Sequence, residues 1–303
     1  MSLWQARGFT LADPTRPRVM GILNLTPDSF SGDGRAPSIA EAIRSAERLA
    51  EEGADLIDVG GESSRPGALP VELGEELARV IPVVEAVARR LAVPISVDTT
   101  KPEVARRALD AGAAVVNDIQ ALDDDAMAAI VAEAGAGVVL MHMRGTPGTM
   151  QDDPRYDDVV REVRDELARR VEAAERRGIP RSRIAVDPGI GFAKTFEHNL
   201  ALLQNLQAFT GLGSALVIGT SRKGFLGKLT GRPVGDRAFA SVASALAAVA
   251  GGAQVVRVHD VGPTVDAIRV WQAQVRTNEG RFPDFRRARS FDPAMISGPT
   301  DED

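Results

Sequence analysis

The 303-residue sequence contains no cysteine, which excludes disulfides, thiolate metal sites and a cysteine nucleophile. Its three histidines, His142, His198 and His259, are too dispersed to suggest a histidine metal site. No basic, apolar, small-residue segment opens the chain, so no secretory signal is expected. Long hydrophobic runs are also missing. The longest, 238–256, is rich in Ala and Gly and broken by serines, a poor membrane span. Nor is there an excess of positive charge: the net charge is −6, with acidic and basic residues interleaved. That argues against a general nucleic-acid binder, which presents a basic face. An anionic ligand would need positive charge gathered locally. The lack of cysteine is compatible with a reducing compartment, and a cytoplasmic location is expected.

What the sequence does have is a repeated pattern. Hydrophobic residues make up 44% and charged residues 26%, the balance of a globular protein able to bury a sizeable core. Eight short runs rich in Val and Ile recur at 19–25, 56–59, 95–97, 114–116, 138–141, 184–186, 215–218 and 255–258. Parallel strands covered on both faces read this way. Amphipathic helical segments separate them. In 156–177, Val160, Val163, Leu167 and Val171 fall at helical spacing, with Asp157 and Asp158 near the start and Gly178 beyond the end. The segment 75–91 repeats the design with Leu77, Ile81, Val84, Val87 and Leu91. Eightfold strand–helix alternation predicts an α/β fold, a single-domain (β/α)8 TIM barrel over 18–277. A doubly wound open sheet is the alternative that counting strands leaves open. Residues 1–17 form an N-terminal extension, expected as a hairpin or lid over the barrel bottom. Residues 278–303 form a tail whose end, from 290, has little to bury and is expected to be disordered.

In such a barrel the active site gathers where strands end and βα loops begin. Nearly every predicted strand end carries a charged or amide side chain. They are Asn24, then Glu62-Ser63-Ser64-Arg65-Pro66, Asp98, Asn117-Asp118, His142-Met143-Arg144, Asp187, Ser221-Arg222-Lys223 and Arg257-Val258-His259-Asp260. So many are hard to read as helix capping alone. Together with 24–30, 55–67, 141–151, 187–195 and 219–227, in this order and spacing, these motifs resemble the dihydropteroate synthase family over roughly 18–275.

The resemblance implies an enzyme of folate biosynthesis, a transferase that condenses 6-hydroxymethyl-7,8-dihydropterin pyrophosphate with p-aminobenzoate and releases pyrophosphate. It also implies a sulfonamide target and a homodimer, assembled through the small-residue helix 239–250. Asp98, Asn117 and Asp187 would form the pterin pocket with Ile119, Met141, Lys223 and Arg257; carboxylates and an amide suit the donors and acceptors of a 2-amino-4-oxo pterin edge. The bland reading of Asp98 and Asp187 is that they cap the following helices. Arg257 and His259, two apart on a strand, face one side, and a guanidinium can stack on a ring and still reach a phosphate. In the family this arginine does both, while His259, Asn24 and Arg65 hold pyrophosphate; the rival view pairs Arg257 with Asp260. Ser64, Pro66, Phe192, Lys223 and Gly224 would form the p-aminobenzoate pocket, with 219–223 leading into a helix whose N-terminal amides favour an anion. The expected catalytic set is Asp98, Asp187, Lys223, Arg257 and His259.

Asn24 is the candidate metal contact. One neutral oxygen suits Mg2+, which keeps waters and takes phosphate oxygens, and makes Mg2+ the expected cofactor. Residues 63–67 read either as a closing loop or as an ordinary polar connection. His142 is expected to face the helices, and His198 to be solvated. The chain departs from the family pattern at Ser64 (often Thr), Ala193 (often Gly), Gly224 (often Ser) and the reordered 31–34; these touch affinity more than the reaction. A methyltetrahydrofolate methyltransferase of the same barrel, or a non-catalytic pterin-binding paralogue, are the alternatives. The methyltransferase has no need of a pyrophosphate site.

Overall fold

A computed structural model describes residues 3–26 and 37–275. The 27–30 part of the first motif, the 31–34 departure and the tail from 276 lie outside the described residues. Ahead of the barrel, β1 (Trp4–Ala6) and β2 (Phe9–Ala12) pair as an antiparallel hairpin. Eight parallel strands follow: β3 (Arg18–Asn24), β4 (Leu56–Gly60), β5 (Ile95–Asp98), β6 (Val115–Asp118), β7 (Gly137–Met141), β8 (Ile184–Asp187), β9 (Ala215–Ile218) and β10 (Val255–Val258). They close into a barrel because β10 pairs with both β9 and β3, Val255 opposite Arg18 and Val258 opposite Gly21. Closure rules out the open doubly wound sheet.

The helices are α1 (Ile39–Glu51), α2 (Leu73–Arg90), α3 (Pro102–Asp110), α4 (Asp125–Ala134), α5 (Val159–Arg176), α6 (Phe196–Gln204), α7 (Gly224–Thr230), α8 (Ala238–Ala250) and α9 (Val261–Gln274). Their ends follow local chemistry. Ser38 and Glu41 form a capping box that starts α1, and the Asp158 carboxylate accepts from the Arg161 amide at 3.0 Å to start α5. Past α5, Gly178 takes φ +87°, a backbone shape that glycine adopts without strain.

Two apolar layers result. One lies between the strands and the helices and holds Val59, Val97, Leu140, Val186 and Ile218 against residues such as Val84, Leu167 and Ile268. The other fills the barrel, where Met20, Leu56, Val115, Val139 and Val255 pack with Trp4 and Leu11 of the hairpin. The hairpin therefore plugs the end of the barrel opposite the strand carboxyl ends. Trp4 is fully buried, and its indole Nε1 donates to the Arg183 carbonyl at 3.0 Å. Arg7 holds the same end by donating to the carbonyls of Leu109 (2.8 Å) and Ala113 (3.1 Å). With the floor sealed, the opposite mouth is left for chemistry.

Candidate active site

At that mouth a cavity of about 840 Å3 is lined by residues from the strand ends and βα loops, among them Asn24, Arg65, Asp98, Phe192, Lys223, Arg257 and His259. Its polar base is built on Arg257 of β10. The guanidinium reaches across the barrel, donating through Nε to Asp58 of β4 at 2.6 Å and through Nη2 to Asp98 of β5 at 2.7 Å. Asp58 also accepts from the Asn117 amide of β6 at 3.1 Å. Four strands thus converge on one arginine. Asp58 Oδ1 is buried and has no hydrogen-bond partner among the described residues, so the cluster is one donor short. One cation serves two carboxylates. Burial, offset in part by Arg257 and reinforced by the charges of Asp58, Glu76 and Asp118, pushes Asp98 up to about 7.

Asp98 is therefore bound to an arginine rather than capping α3, whose first turn follows Lys101. Asp187 accepts from the Gly189 amide at 2.7 Å in a local turn, and burial raises its pKa against the pull of Lys223. Arg257 does not pair with Asp260; Arg222 does, with Nη2 at 2.6 Å. Asn117, Ile119, Met141 and Asp187 end or follow β6 to β8 as expected, and all four are buried.

On the far side stands the loop between β8 and α6. Lys223 Nζ donates to the Ile190 carbonyl and lies 4.6 Å from the centre of the Phe192 ring. Burial pulls the Lys223 ammonium down to about 8, while Asp187 works in the opposite sense. Gly224 begins α7 next to it, and open space surrounds the point where its β-carbon would be.

His259 and Arg65 also line the cavity. Burial, followed by the charges of Arg257 and Arg222, pushes His259 down to about 3, so its imidazole is neutral at physiological pH. Its Nδ1 stands 3.0 Å from Ser221 Oγ. Arg65 is exposed, faces the cavity and forms no ion pair among the described residues. Asn24 Oδ1 and Asp98 Oδ2 each lie 3.7 Å from where a β-carbon on Gly60 would sit, so the missing side chain leaves room between two oxygens. Among the described residues no group of three or more His, Cys, Asp or Glu could hold a metal unaided. Such a donor set fits a cation that brings most of its ligands with a substrate.

His142 does face the helices: its Nε2 is 3.3 Å from Glu166 of α5 and its Nδ1 3.0 Å from Lys194. His198 is half-buried rather than solvated, because it occupies the third position of a capping box with Thr195 at the start of α6. Three functional-looking groups escaped the sequence reading. Asp58 is a carboxylate inside an otherwise apolar strand, which was the signal. Lys194 is 3% exposed, and burial pulls its ammonium down to about 7. Lys101 bridges Glu62 at 2.6 Å and the buried Glu76 at 2.5 Å, a network with no sequence signature.

A closed barrel whose mouth sets buried carboxylates against one arginine and turns a second arginine toward the same cavity is built to hold a polar, charged ligand. Comparison with known proteins agrees: residues 20–259 match the family described as pterin binding enzyme. The dihydropteroate synthase of Escherichia coli (strain K12) is 46% identical over 276 residues, covering 91% of this chain and 98% of that one. The structure of the Xanthomonas albilineans dihydropteroate synthase with 4-aminobenzoic acid superposes with a TM-score of 0.81 at 50% identity, covering 88% of this chain and 94% of that one. For the Burkholderia cenocepacia dihydropteroate synthase complexed with 7,8-dihydropteroate the TM-score is 0.82 at 48% identity, covering 90% and 96%. The chain belongs to the pterin binding enzymes and, among them, to the dihydropteroate synthases.

Proposed function

We propose that the chain joins 6-hydroxymethyl-7,8-dihydropterin pyrophosphate to p-aminobenzoate, the dihydropteroate synthase step of folate biosynthesis, with the following division of labour. The observation that carries it is the Asp58–Arg257–Asp98 cluster at the base of a cavity that Arg65 and His259 also line. Asp98, Asn117 and Asp187 offer acceptors and a donor to the pterin edge, with Ile119 and Met141 packing beside them. The Arg257 face supports the ring, and Arg257, His259, Asn24 and Arg65 bind pyrophosphate. The bond from the exocyclic methylene carbon to the pyrophosphate oxygen breaks, and its electron pair departs with pyrophosphate. The aniline nitrogen donates its lone pair to that carbon and gives up a proton to water or pyrophosphate. Asp98 and Asp187 stabilise positive charge spreading into the ring meanwhile. Ser64, Pro66, Phe192, Lys223 and Gly224 enclose p-aminobenzoate.

Asn24 would hold a Mg2+, and when bound the ion would offset the negative charge of the pyrophosphate leaving group. The setting we propose is the cytoplasm; among the described residues no helix is long and apolar enough to cross a membrane. A methyltetrahydrofolate methyltransferase would leave Arg65 and His259 without a leaving group to bind.

Arg65→Ala tests the assignment. It should cut turnover strongly while the affinity for a pterin without pyrophosphate stays nearly unchanged, because Arg65 acts on the leaving group. Full activity in the variant would remove Arg65 from the mechanism. In the same assay a chelator should abolish wild-type turnover without releasing pterin; undiminished turnover would dismiss the metal.

A further inference from the structure

The loop that carries Phe192 has no regular secondary structure, and three of its residues, Gly189, Gly191 and Ala193, have positive φ (+69°, +83° and +50°). Four consecutive carbonyls in it are nevertheless each held by a side chain, three of them from outside the loop. Lys223 of α7's N-cap takes Ile190. Gln151 takes Gly191 at 3.0 Å, Lys194 takes Phe192 at 2.8 Å, and Tyr156 takes Ala193 at 3.0 Å. A loop ordinarily leaves such carbonyls to water. Here they are pinned one after another, which fixes the direction of the Phe192 ring between them.

Two of the four pins, Gln151 and Tyr156, come from one connection, 142–158 between β7 and α5. That connection also receives the Gly67 amide on its Pro147 carbonyl at 3.0 Å, so it touches the 63–67 loop as well. Tyr156 is itself immobilised. The Arg144 guanidinium lies 4.2 Å from its ring centre, the His198 ring meets it edge-on at 5.1 Å, and Arg144 is anchored on Glu162 at 3.0 Å. The hydroxyl therefore reaches Ala193 from a ring with no freedom to follow the loop away.

We infer that Gln151 and Tyr156 are positioning residues for the second substrate: Tyr156 stands behind the cavity wall, Gln151 lines the cavity but spends its amide on the Gly191 carbonyl, and both set p-aminobenzoate affinity by holding the loop that aims Phe192. The inference rests on the reading that Phe192 walls the p-aminobenzoate pocket, and it extends that reading to a connection with no assigned role. A loosened loop must be ordered again each time the arylamine binds, so the cost falls on that substrate's affinity. The pterin, bound at the opposite wall on the Arg257 cluster, is spared.

Steady-state kinetics on F192A, Y156F and Q151A, varying each substrate at saturating levels of the other, decides the matter. Y156F removes only the hydroxyl and keeps the ring packing. Q151A alters an exposed side chain and keeps the inference testable if Y156F folds poorly. All three should raise the KM for p-aminobenzoate, Y156F and Q151A by about three- to tenfold, the worth of one hydrogen bond. In those two the KM for the pterin pyrophosphate should hold and kcat should change less than about twofold. A raised KM in F192A with unchanged values in the other two overturns the inference alone. An unchanged KM in F192A overturns the pocket reading, and the inference with it. A fall in kcat with no selective rise in KM would reveal a merely structural role and also overturn it.

Discussion

Asp58 shows what one misplaced-looking residue can do in a buried strand. It sits between Ile57 and Val59, fully buried, and shares one oxygen between Arg257 and Asn117. A buried carboxylate is tolerated only when paired, and removing its partner costs about 3–5 kcal/mol. Its second effect is electrical. Asp98 shares a single arginine with Asp58, and the Asp58 charge is one of the causes that raise Asp98. Asp58→Asn can keep accepting the one hydrogen bond from Arg257 while deleting the charge, so Asp98, pushed up to about 7 in the parent, should lose its proton at lower pH. Carboxyl carbon resonances followed through a pH titration would show the shift, and the Asp98→Asn variant would identify the signal. A midpoint that stays put or rises would mean that Asp58 does not act on Asp98 through charge.

The strands were legible because a strand buried on both faces must be apolar along its whole length. The runs 56–59 and 255–258 mark β4 and β10 to within a residue. The helix read at 156–177 begins three residues later, at Val159, because Asp158 caps it. What each strand end touches was not legible. Asn117, Asp187 and Asp98 look alike in sequence, yet Asn117 donates to Asp58, Asp187 accepts from the Gly189 amide and Asp98 accepts from Arg257. Lys194 was hidden for the same reason: a lysine in a glycine-rich loop reads as solvated until His142 and the Phe192 carbonyl are placed around it. The departures from the family pattern gain physical content from the loops and helices that hold them. Ala193 carries a side chain at φ +50°, where glycine avoids the penalty. Gly224, at the start of α7, faces open space, so Gly224→Ser adds a hydroxyl without displacing anything. Folding stability should change by less than about 0.5 kcal/mol. The KM for p-aminobenzoate should fall about two- to tenfold if the hydroxyl reaches the substrate. A KM that does not move would show that this departure is neutral.

Barrel closure sets one end of the molecule for packing and the other for chemistry, and leaves the helical wall for assembly. We propose a homodimer formed along α7 and α8. The small side chains of α8 admit close approach, and large apolar groups nearby are uncovered: Phe239 is 91% exposed, Leu229 57% and Val234 56%. Phe239→Asp should yield a monomer in sedimentation velocity, since a charge in an apolar contact must be desolvated without a partner. A variant that sediments like the parent would move the interface elsewhere. The sequence pointed to this helix by its small residues; exposure of Phe239 could be read only from the packed wall.

The plug at the closed end has an optical consequence. Trp4 lies in the filled interior of the barrel, and Trp271, the other tryptophan of the chain, lies on α9 against the outer layer; neither faces the cavity. Intrinsic tryptophan emission should therefore follow the undocking of the hairpin and the loosening of the last helix, while the arrival of either substrate leaves it nearly unchanged. Titrations of the binding steps will need the absorbance or fluorescence of the ligands themselves. A change in tryptophan emission, where one is seen, reports on the floor of the barrel or on the last helix.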